Sequence, residues 1–252
     1  IKKLTPADKA RWDLFVGESD EATFFHLSGW EDVLQRAFNH RSHYLYAEQG
    51  GQIVGILPLA EVKSWLFGHS LVSTPFCVYG GPVAGSQEIT DQLVIQACEI
   101  AEQLNVDYLE LRNRTRLKES WPCKTLYHTF RREISADKDE NLKAIPRKQR
   151  AVVRKAIKLE LESEYDSGVD SFYEAYSTSV RNLGTPVFSR KYFEVLREVF
   201  AGQSDILTIR KDSELVASVM SFYFKDEVLP YYGGVTAAAR SLKGNDFMYW
   251  QF

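Results

Sequence analysis

Sulfur-containing residues are scarce in this chain, which has three cysteines and two methionines among 252 residues. The cysteines are odd in number and far apart, and none belongs to a CxxC or Cys/His pattern. We therefore predict reduced, packed thiols in a cytoplasmic protein. His40 and His43 have a spacing that occurs in metal sites, but no third ligand follows them, so we predict no bound metal.

Long apolar runs are also missing, since no stretch approaches the ~20 residues that a membrane span needs. The first residues, IKKLTPADKARWDLF, indicate a capped amphipathic helix rather than a signal peptide. We expect no transmembrane segment and a cytoplasmic location. A formal net charge of −3 argues against a general nucleic-acid binder, and we predict no DNA binding, although a local basic patch remains compatible with this charge.

The first part of the chain alternates helix and strand signals. Pro6 and Ser28 stand at positions that favour helix starts, so the first 40 residues predict two helices. Apolar residues recur with helical spacing over Ile89–Leu104, and Asn105 is a stop signal. Aromatic and β-branched runs predict strands at 43–49, 52–64, 73–83 and 107–113.

The second half repeats this order. Residues 170–200 predict two helices split at Gly184, and the runs ILTIRKD, ELVASVMSFYFKDE and VLPYYGGV predict strands. VYGGPVA at 78–84 and YYGGVTA at 231–237 occupy corresponding places, which indicates internal duplication. The alternative is that any two β-meanders followed by a helix look alike.

Duplication predicts an α/β fold of two units, 1–134 and 135–252, each with a mixed, largely antiparallel sheet flanked by helices. The first copy continues from its YGG motif through a helix to the strand DYLELRN, whereas the second stops at Phe252, early in its helix. We therefore expect the second copy to be truncated.

A basic segment lies between the repeats. Six cations and no acidic residue occur from Pro146 to Lys158. Helical spacing places four of these cations on one face. Such a face is suited to a phosphate-bearing ligand, and the alternative is a solvated helix face without a ligand. The four predicted substrate-binding cations are Arg147, Arg150, Arg154 and Lys158.

Four features together resemble the FemAB-like peptidoglycan aminoacyltransferases: the duplication, the basic helix ending in RKAIK, the segment FSRKYFEVL and the aromatic YYGG strand. More narrowly, they resemble the FemAB-related proteins of PEP-CTERM (exosortase) exopolysaccharide systems. The resemblance implies two tandem GNAT-like (acyl-CoA N-acyltransferase) subdomains. It also implies transfer of an acyl or aminoacyl group to an amine on a cell-envelope or exopolysaccharide precursor.

The same resemblance implies a phosphate-bearing ligand, because Fem substrates include precursors with a nucleotide or lipid diphosphate. The basic helix would then bind a phosphate-bearing small molecule or lipid-linked precursor. Phe188, Arg190 and Tyr192 approximate an F-x-R-x-x-x-Y segment of Fem proteins, which makes Arg190 a substrate-binding candidate. Leu34 and Gly85 stand where Fem proteins often have Lys and Asp.

The resemblance defines the acyl donor less narrowly than it defines the reaction. Some Fem enzymes bind tRNA through a coiled-coil arm, and this chain has no long charged heptad insertion of that kind. We predict acyl-CoA or aminoacyl-tRNA as the donor substrate, tRNA as a potential partner, and no permanently bound cofactor.

Acyl transfer to an amine requires aligned reactants and hydrogen-bond donors aimed at the oxyanion, but no covalent nucleophile. The chain accordingly lacks GxSxG and GxGxxG motifs. By analogy with GNAT folds, backbone N–H groups of two short segments would hold the donor's carbonyl and pyrophosphate. These cofactor-binding candidates are Gly233 and Gly234, and the turn Lys243, Gly244 and Asn245.

Tyr232 is the candidate proton donor to the leaving group, and Asp246 is the candidate base for the amine. Each has a structural alternative: the paired glycines would form only a β-bulge, Tyr232 would be a core residue, and Asp246 would be a helix N-cap.

A second hypothesis belongs to a different class. A non-catalytic protein could keep the duplicated fold and use it to hold a polysaccharide or a partner, with exposed tryptophans stacking on sugars.

Overall fold

The computed structural model describes residues 1–66 and 68–252. It divides into two compact units. The sequence predicts the boundary between them after residue 134. The first unit comprises Ile1–Pro122 together with Glu198–Phe200, and the second comprises Cys123–Arg197 and Ala201–Phe252. Both are α/β, with mainly antiparallel sheets flanked by helices, as predicted.

The first unit carries two helices before its sheets and one long helix after them. Its helices are α1 (Lys9–Glu18), α2 (Gly29–Phe38) and α3 (Gln87–Leu104). Its strands are β1 (Lys2–Lys3), β2 (Arg41–Ser42), β3 (Leu45–Gln49), β4 (Gln52–Leu57), β5 (Leu59–Ser64), β6 (Gly68–Ser73), β7 (Val83–Ala84) and β8 (Tyr108–Glu110).

These strands form one sheet of order β1-β3-β4-β7 and another of order β2-β5-β6-β8. Pro58 alone separates β4 from β5, so one run of chain contributes to both sheets. The β6–β8 pair is parallel, and α3 is the crossover between these strands.

Helix α3 begins and ends where its sequence predicts. The Ser86 hydroxyl accepts a hydrogen bond from the N–H of Ile89 (3.3 Å), and Asn105 ends the helix in a left-handed conformation. Its apolar face packs on the sheet. The buried residues of this core are Leu45, Ala47, Leu57, Leu59, Leu71, Ile89, Leu93, Ala97 and Ile100.

The predicted strand 73–83 is wrong. Ser73 ends β6 and Val83 begins β7, and the residues between them form an irregular loop. Thr74 and Phe76 have positive φ values on either side of Pro75, which is incompatible with an extended strand. The predicted strand at 107–113 is real but shorter, spanning Tyr108–Glu110.

The two YGG motifs are therefore not structural equivalents. In the first unit, the N–H groups of Gly80 and Gly81 both donate to the carbonyl of Arg112 (3.1 and 3.0 Å) within this loop. In the second unit, Tyr232 to Gly234 lie within a strand. The units share an order of elements, but the repeated tripeptide does not mark the same place in each.

The second unit has helices on both faces of one sheet. Its helices are α4 (Lys138–Ala144), α5 (Arg147–Ile157), α6 (Asp170–Asn182), α7 (Arg190–Val199), α8 (Ala239–Leu242) and α9 (Gly244–Gln251). Its strands are β9 (Glu162–Tyr165), β10 (Ser204–Lys211), β11 (Glu214–Phe224) and β12 (Glu227–Val235), in the order β12-β11-β10-β9 with antiparallel pairing.

Two further sequence predictions concern the cysteines and membrane-spanning segments. Cys77 is buried, but Cys98 is half-buried and Cys123 is exposed, so the expectation of packed thiols holds only for Cys77. Within residues 1–66 and 68–252, none of the helices combines the length and hydropathy that a bilayer crossing requires.

A buried histidine is built into the first unit. The His26 Nδ1 accepts the N–H of Thr23 (3.0 Å), and Nε2 lies 3.0 Å from the carbonyl of Gly81, to which a neutral Nε2–H donates. Burial is the main cause that lowers the pKa of His26 to about 4. Protonating Nδ1 would remove the acceptor for Thr23, so this packing requires the neutral ring.

Stability should therefore decrease in mild acid. An unfolded histidine titrates near pH 6.5, so below that pH the unfolded chain binds a proton that folded His26 does not. Between about pH 7 and about pH 5, we expect His26 to lower the free energy of unfolding by about 2 kcal/mol. Urea unfolding at both pH values measures this loss. His26→Gln should abolish that part of the pH dependence, and an unchanged dependence in the variant would contradict the assignment.

Candidate active site

The candidate site begins at a bulge in the sheet of the second unit. Strands β11 and β12 pair regularly from Ala217–Val235 to Met220–Tyr232, and then the register shifts so that Ser221 faces Pro230. Tyr231 is the extra residue. Proline has no N–H to donate to the ladder, which explains why the pairing breaks here. The bulge thus lies beside the predicted glycines rather than at them.

Sequence reasoning missed a polar group at this point. The Ser221 hydroxyl is completely buried and has no hydrogen-bond partner among the residues that the structure describes. Unsatisfied buried hydroxyls are uncommon and are costly to maintain. A serine within the apolar run ELVASVMSFYF was the only sequence signal for it.

The two candidate glycines have different surroundings. A Cβ on Gly234 would lie 2.3 Å from the carbonyl oxygen of Ala175 in α6, so the helix backbone packs directly on this glycine. A Cβ on Gly233 would meet nothing closer than 3.7 Å. Gly234 is thus required for packing, whereas Gly233 is exposed and leaves its backbone approachable.

Tyr232 belongs to an aromatic cluster. Its side chain is buried, and its hydroxyl lies 2.8 Å from the hydroxyl of Tyr192 on α7. The Tyr232 hydroxyl therefore already has a partner within the protein. The rings in contact with Tyr232 are those of Tyr176, Phe188, Tyr192, Phe193 and Tyr231.

The turn before α9 is shaped by close packing. Lys243 adopts a left-handed conformation (φ 56°), and Gly244 begins the helix. A Cβ on Gly244 would lie 2.2 Å from Cγ1 of Val216, so glycine lets the helix start against β11. The first N–H groups of α9, including that of exposed Asn245, lie at the positive end of the helix dipole.

Asp246 is not the N-cap of α9, because Lys243 holds that position. It lies in the first helical turn, where its carboxylate accepts a hydrogen bond from the side-chain amide of Gln149 on α5. Ala156 of α5 packs in the same core cluster as Phe247 of α9. The basic helix is therefore attached directly to the turn that the sequence predicts as the donor site.

The cations of α5 lie on the face opposite to these contacts. Gln149, Val153 and Ala156 share one side at helical spacing, on which Val153 and Ala156 are buried, and Arg154 and Lys158 are exposed on the other side. This outer side borders an open depression of about 500 Å³. Its lining residues are Arg147, Arg150, Ala151, Arg154, Lys155 and Lys158.

One member of this group already has a structural role. The Arg150 guanidinium donates to the carbonyl of Ile145 (2.9 Å) and also to that of Lys143. These bonds hold the turn at Ile145 and Pro146, which separates α4 from α5. Arg147, Arg154 and Lys158 are the cations best placed to meet an anion.

Arg190 lies elsewhere. It begins α7, where its guanidinium pairs with Asp170 and, at 3.0 Å, with Glu194. It does not border the depression. The structure thus groups the predicted residues into two sets: the cations of α5 with the turn at the start of α9, and Arg190 and Tyr232 around α7.

Residues 142–252 match the family model described as an acetyltransferase (GNAT) domain. The second unit is therefore similar to GNAT acetyltransferase domains over this segment. The matched segment contains the α5 cations, the bulged strand and the turn before α9. No curated protein matches the chain in sequence.

Solved structures extend the likeness to the first unit. The crystal structure of FemX matches with a TM-score of 0.73 and 14% identity, covering 100% of this chain and 84% of FemX. A conserved protein of unknown function from Bacteroides thetaiotaomicron gives a TM-score of 0.55 with 14% identity, at 100% and 84% coverage. The C-terminal domain of a protein assigned as a lysylphosphatidylglycerol synthetase from Agrobacterium fabrum gives 0.54 with 14% identity, at 97% and 73%.

These likenesses show the fold, which is the FemX-like tandem fold with GNAT-type units. The structural part of the resemblance seen in the sequence is thereby confirmed. The roles assigned to individual residues remain predictions.

The paired glycines allow a matched test of packing. Gly234→Ala should lower the free energy of unfolding by roughly 2–3 kcal/mol, because the methyl group overlaps the backbone of α6. Gly233→Ala should change it by less than about 1 kcal/mol, because the added methyl meets only ordinary contacts. Urea unfolding of both variants measures the difference. Equal effects would contradict the close approach of α6 to β12.

Proposed function

We propose that the protein is an N-acyltransferase that moves an acyl or aminoacyl group from an activated, phosphate-bearing donor to an amine. The observation that carries this proposal is the attachment of the basic helix α5 to the first turn of α9, beside a bulged strand, within the segment that matches a GNAT domain. Helix starts and cations are both favourable for phosphate groups.

The proposed reaction needs no covalent nucleophile. The amine lone pair attacks the acyl carbonyl carbon, so a C–N bond forms, and the bond to the donor's sulfur or oxygen breaks. Exposed backbone at Gly233, beside the bulge, would face the developing oxyanion. Asp246 would accept the proton that the amine loses, and the leaving thiolate or alkoxide would take up a proton from solvent. The Tyr232–Tyr192 pair lies with α7, apart from Asp246, and has no role in this step.

Acyl-CoA is the preferred donor in this proposal, because GNAT domains typically use acyl-CoA. Aminoacyl-tRNA is the second donor class in this proposal, because the fold is similar to that of FemX. For the acceptor we propose an amine on a phosphate-bearing peptidoglycan or exopolysaccharide precursor in the cytoplasm, including lipid-linked forms. One structural neighbour is named for an aminoacylated phospholipid, which supports keeping lipid-linked acceptors in the proposal.

A non-catalytic binding role is the second candidate. The observation that favours it is that the Asp246 carboxylate, the Tyr232 hydroxyl and the Arg190 guanidinium all have partners within the protein. In a fold retained only for binding, these side chains would bond to other residues of the protein rather than to reacting atoms.

Ligand stabilisation tests the donor and acceptor classes. Thermal unfolding is measured with coenzyme A, acetyl-CoA, a UDP-linked muropeptide, UDP-sugars and charged tRNA. A ligand at about 100 times its Kd should raise Tm by roughly 5 °C or more. Arg154→Ala should weaken binding about tenfold, because it removes a charge-assisted contact.

Lys148→Ala is the matched control, since it removes an exposed cation from the same helix outside the depression. It should leave the shift in Tm nearly unchanged. Equal loss in both variants would indicate general electrostatic attraction. The absence of a shift with every phosphate-bearing ligand would favour the binding-protein candidate.

The role of Asp246 is separable from its structural bond. Asp246→Asn keeps an oxygen that accepts from Gln149, so Tm should change little, while the loss of the base should lower kcat/KM by at least about 100-fold. Gln149→Leu removes the bond but leaves the carboxylate, and should retain most activity. Kinetics with the donor that stabilises the protein make the comparison. Full activity in Asp246→Asn would show that the carboxylate serves packing only.

A further inference from the structure

The hairpin of β5 and β6 ends in an exposed apolar tip. Trp65 is 100% exposed and Leu66 is 71% exposed, whereas Trp12 and Trp30 in the same unit are fully buried. Phe67 follows in the sequence and lies outside the described residues. A fully exposed tryptophan gains little from folding, so its exposure calls for an explanation.

The backbone of the hairpin is paired up to the tip. Strand pairing continues from Leu59–Ser73 to Ser64–Gly68, the last pair before the tip. Beyond it, the N–H of Leu66 donates to the Ser64 hydroxyl (3.3 Å). This pairing limits the number of free backbone groups in the strands that flank the tip, and unpaired backbone groups are the main cost of entering an apolar medium.

The base of the tip is held to the sheet. The N–H of His69 donates to the Asp107 carboxylate (2.8 Å), and a Cβ on Gly68 would lie 2.6 Å from the same group. Gly68 has a positive φ of 86°, which glycine adopts without strain. The hairpin therefore presents Trp65 and Leu66 at a defined place.

The shape of the tip favours a bilayer over a protein partner. Protein interfaces surround their apolar anchors with a polar rim over roughly 800 Å² on each side. Trp65 is fully exposed, so none of the residues that the structure describes covers it or forms such a rim around it. A bilayer surrounds a protruding side chain with apolar material on all sides, and tryptophan is enriched at the membrane–water boundary.

We propose that this tip inserts into the interfacial layer of a phospholipid bilayer and holds the protein on the membrane surface. Exposed Lys63, near the end of β5, would offer its ammonium group to headgroup phosphates. This inference goes beyond the proposed transfer reaction and does not rest on it. It adds an interaction surface in the first unit, outside the residues proposed for catalysis.

Vesicle binding tests the proposal without an activity assay. The whole chain is mixed with phosphatidylcholine vesicles, with and without phosphatidylglycerol, and sedimented. We expect binding to both compositions, and a blue shift of tryptophan emission as Trp65 leaves water. Brominated lipids should quench that emission. The double variant Trp65→Ser/Leu66→Ser should bind at least about tenfold more weakly, because two large apolar side chains are lost.

Leu14→Ser/Ile95→Ser is the matched control. It removes two exposed apolar side chains from helices of the same unit and should bind vesicles like the unchanged protein. Absence of vesicle binding in the unchanged protein would overturn the proposal. Undiminished binding by the tip variant would overturn it too, and binding only to phosphatidylglycerol vesicles would assign the attraction to basic surface instead. A lower apparent mass of the tip variant in gel filtration would show that the tip contacts a second copy of the chain.

Discussion

The second unit depends on the direct approach of a helix backbone to a strand. At Gly234, the carbonyl of Ala175 occupies the space that any side chain would need. This contact seats α6 against β12, and the N–H of Val235 adds a hydrogen bond to the Ser179 hydroxyl (3.1 Å). The aromatic cluster around Tyr232 fills the space between the same strand and α7. Because cores are close-packed, these positions are mutually determined.

The opposite face of that sheet accommodates the basic helix. One side of α5 contributes Val153 and Ala156 to the core, and its other side is left to carry charge. The bond between Gln149 and Asp246 connects this helix to the start of α9. An anion held by Arg154 would thus lie on a helix that is physically coupled to the turn at Gly244, so binding and positioning involve the same small group of elements.

Local signals predicted much of the fold. The serine cap, the 3.6-residue apolar rhythm and the left-handed asparagine that define α3 all act within one or two turns, so the sequence displays them directly. The loop after β6 was mistaken for a strand because its residues favour extended structure individually. Its conformation is decided by distant partners such as Arg112 and His26, which no local pattern reveals.

The α/β class, most of the helices and the concentration of cations on one side of α5 could be predicted from the sequence, since each depends on spacing along the chain. Which of these residues come together depends on how the elements pack. This packing separated Arg190 and Tyr232 from the cations of α5, moved the bulge to Tyr231 and left the hydroxyl of Ser221 buried. The physical reason is that burial, close approach and hydrogen-bond partners are set by contacts between residues far apart in sequence.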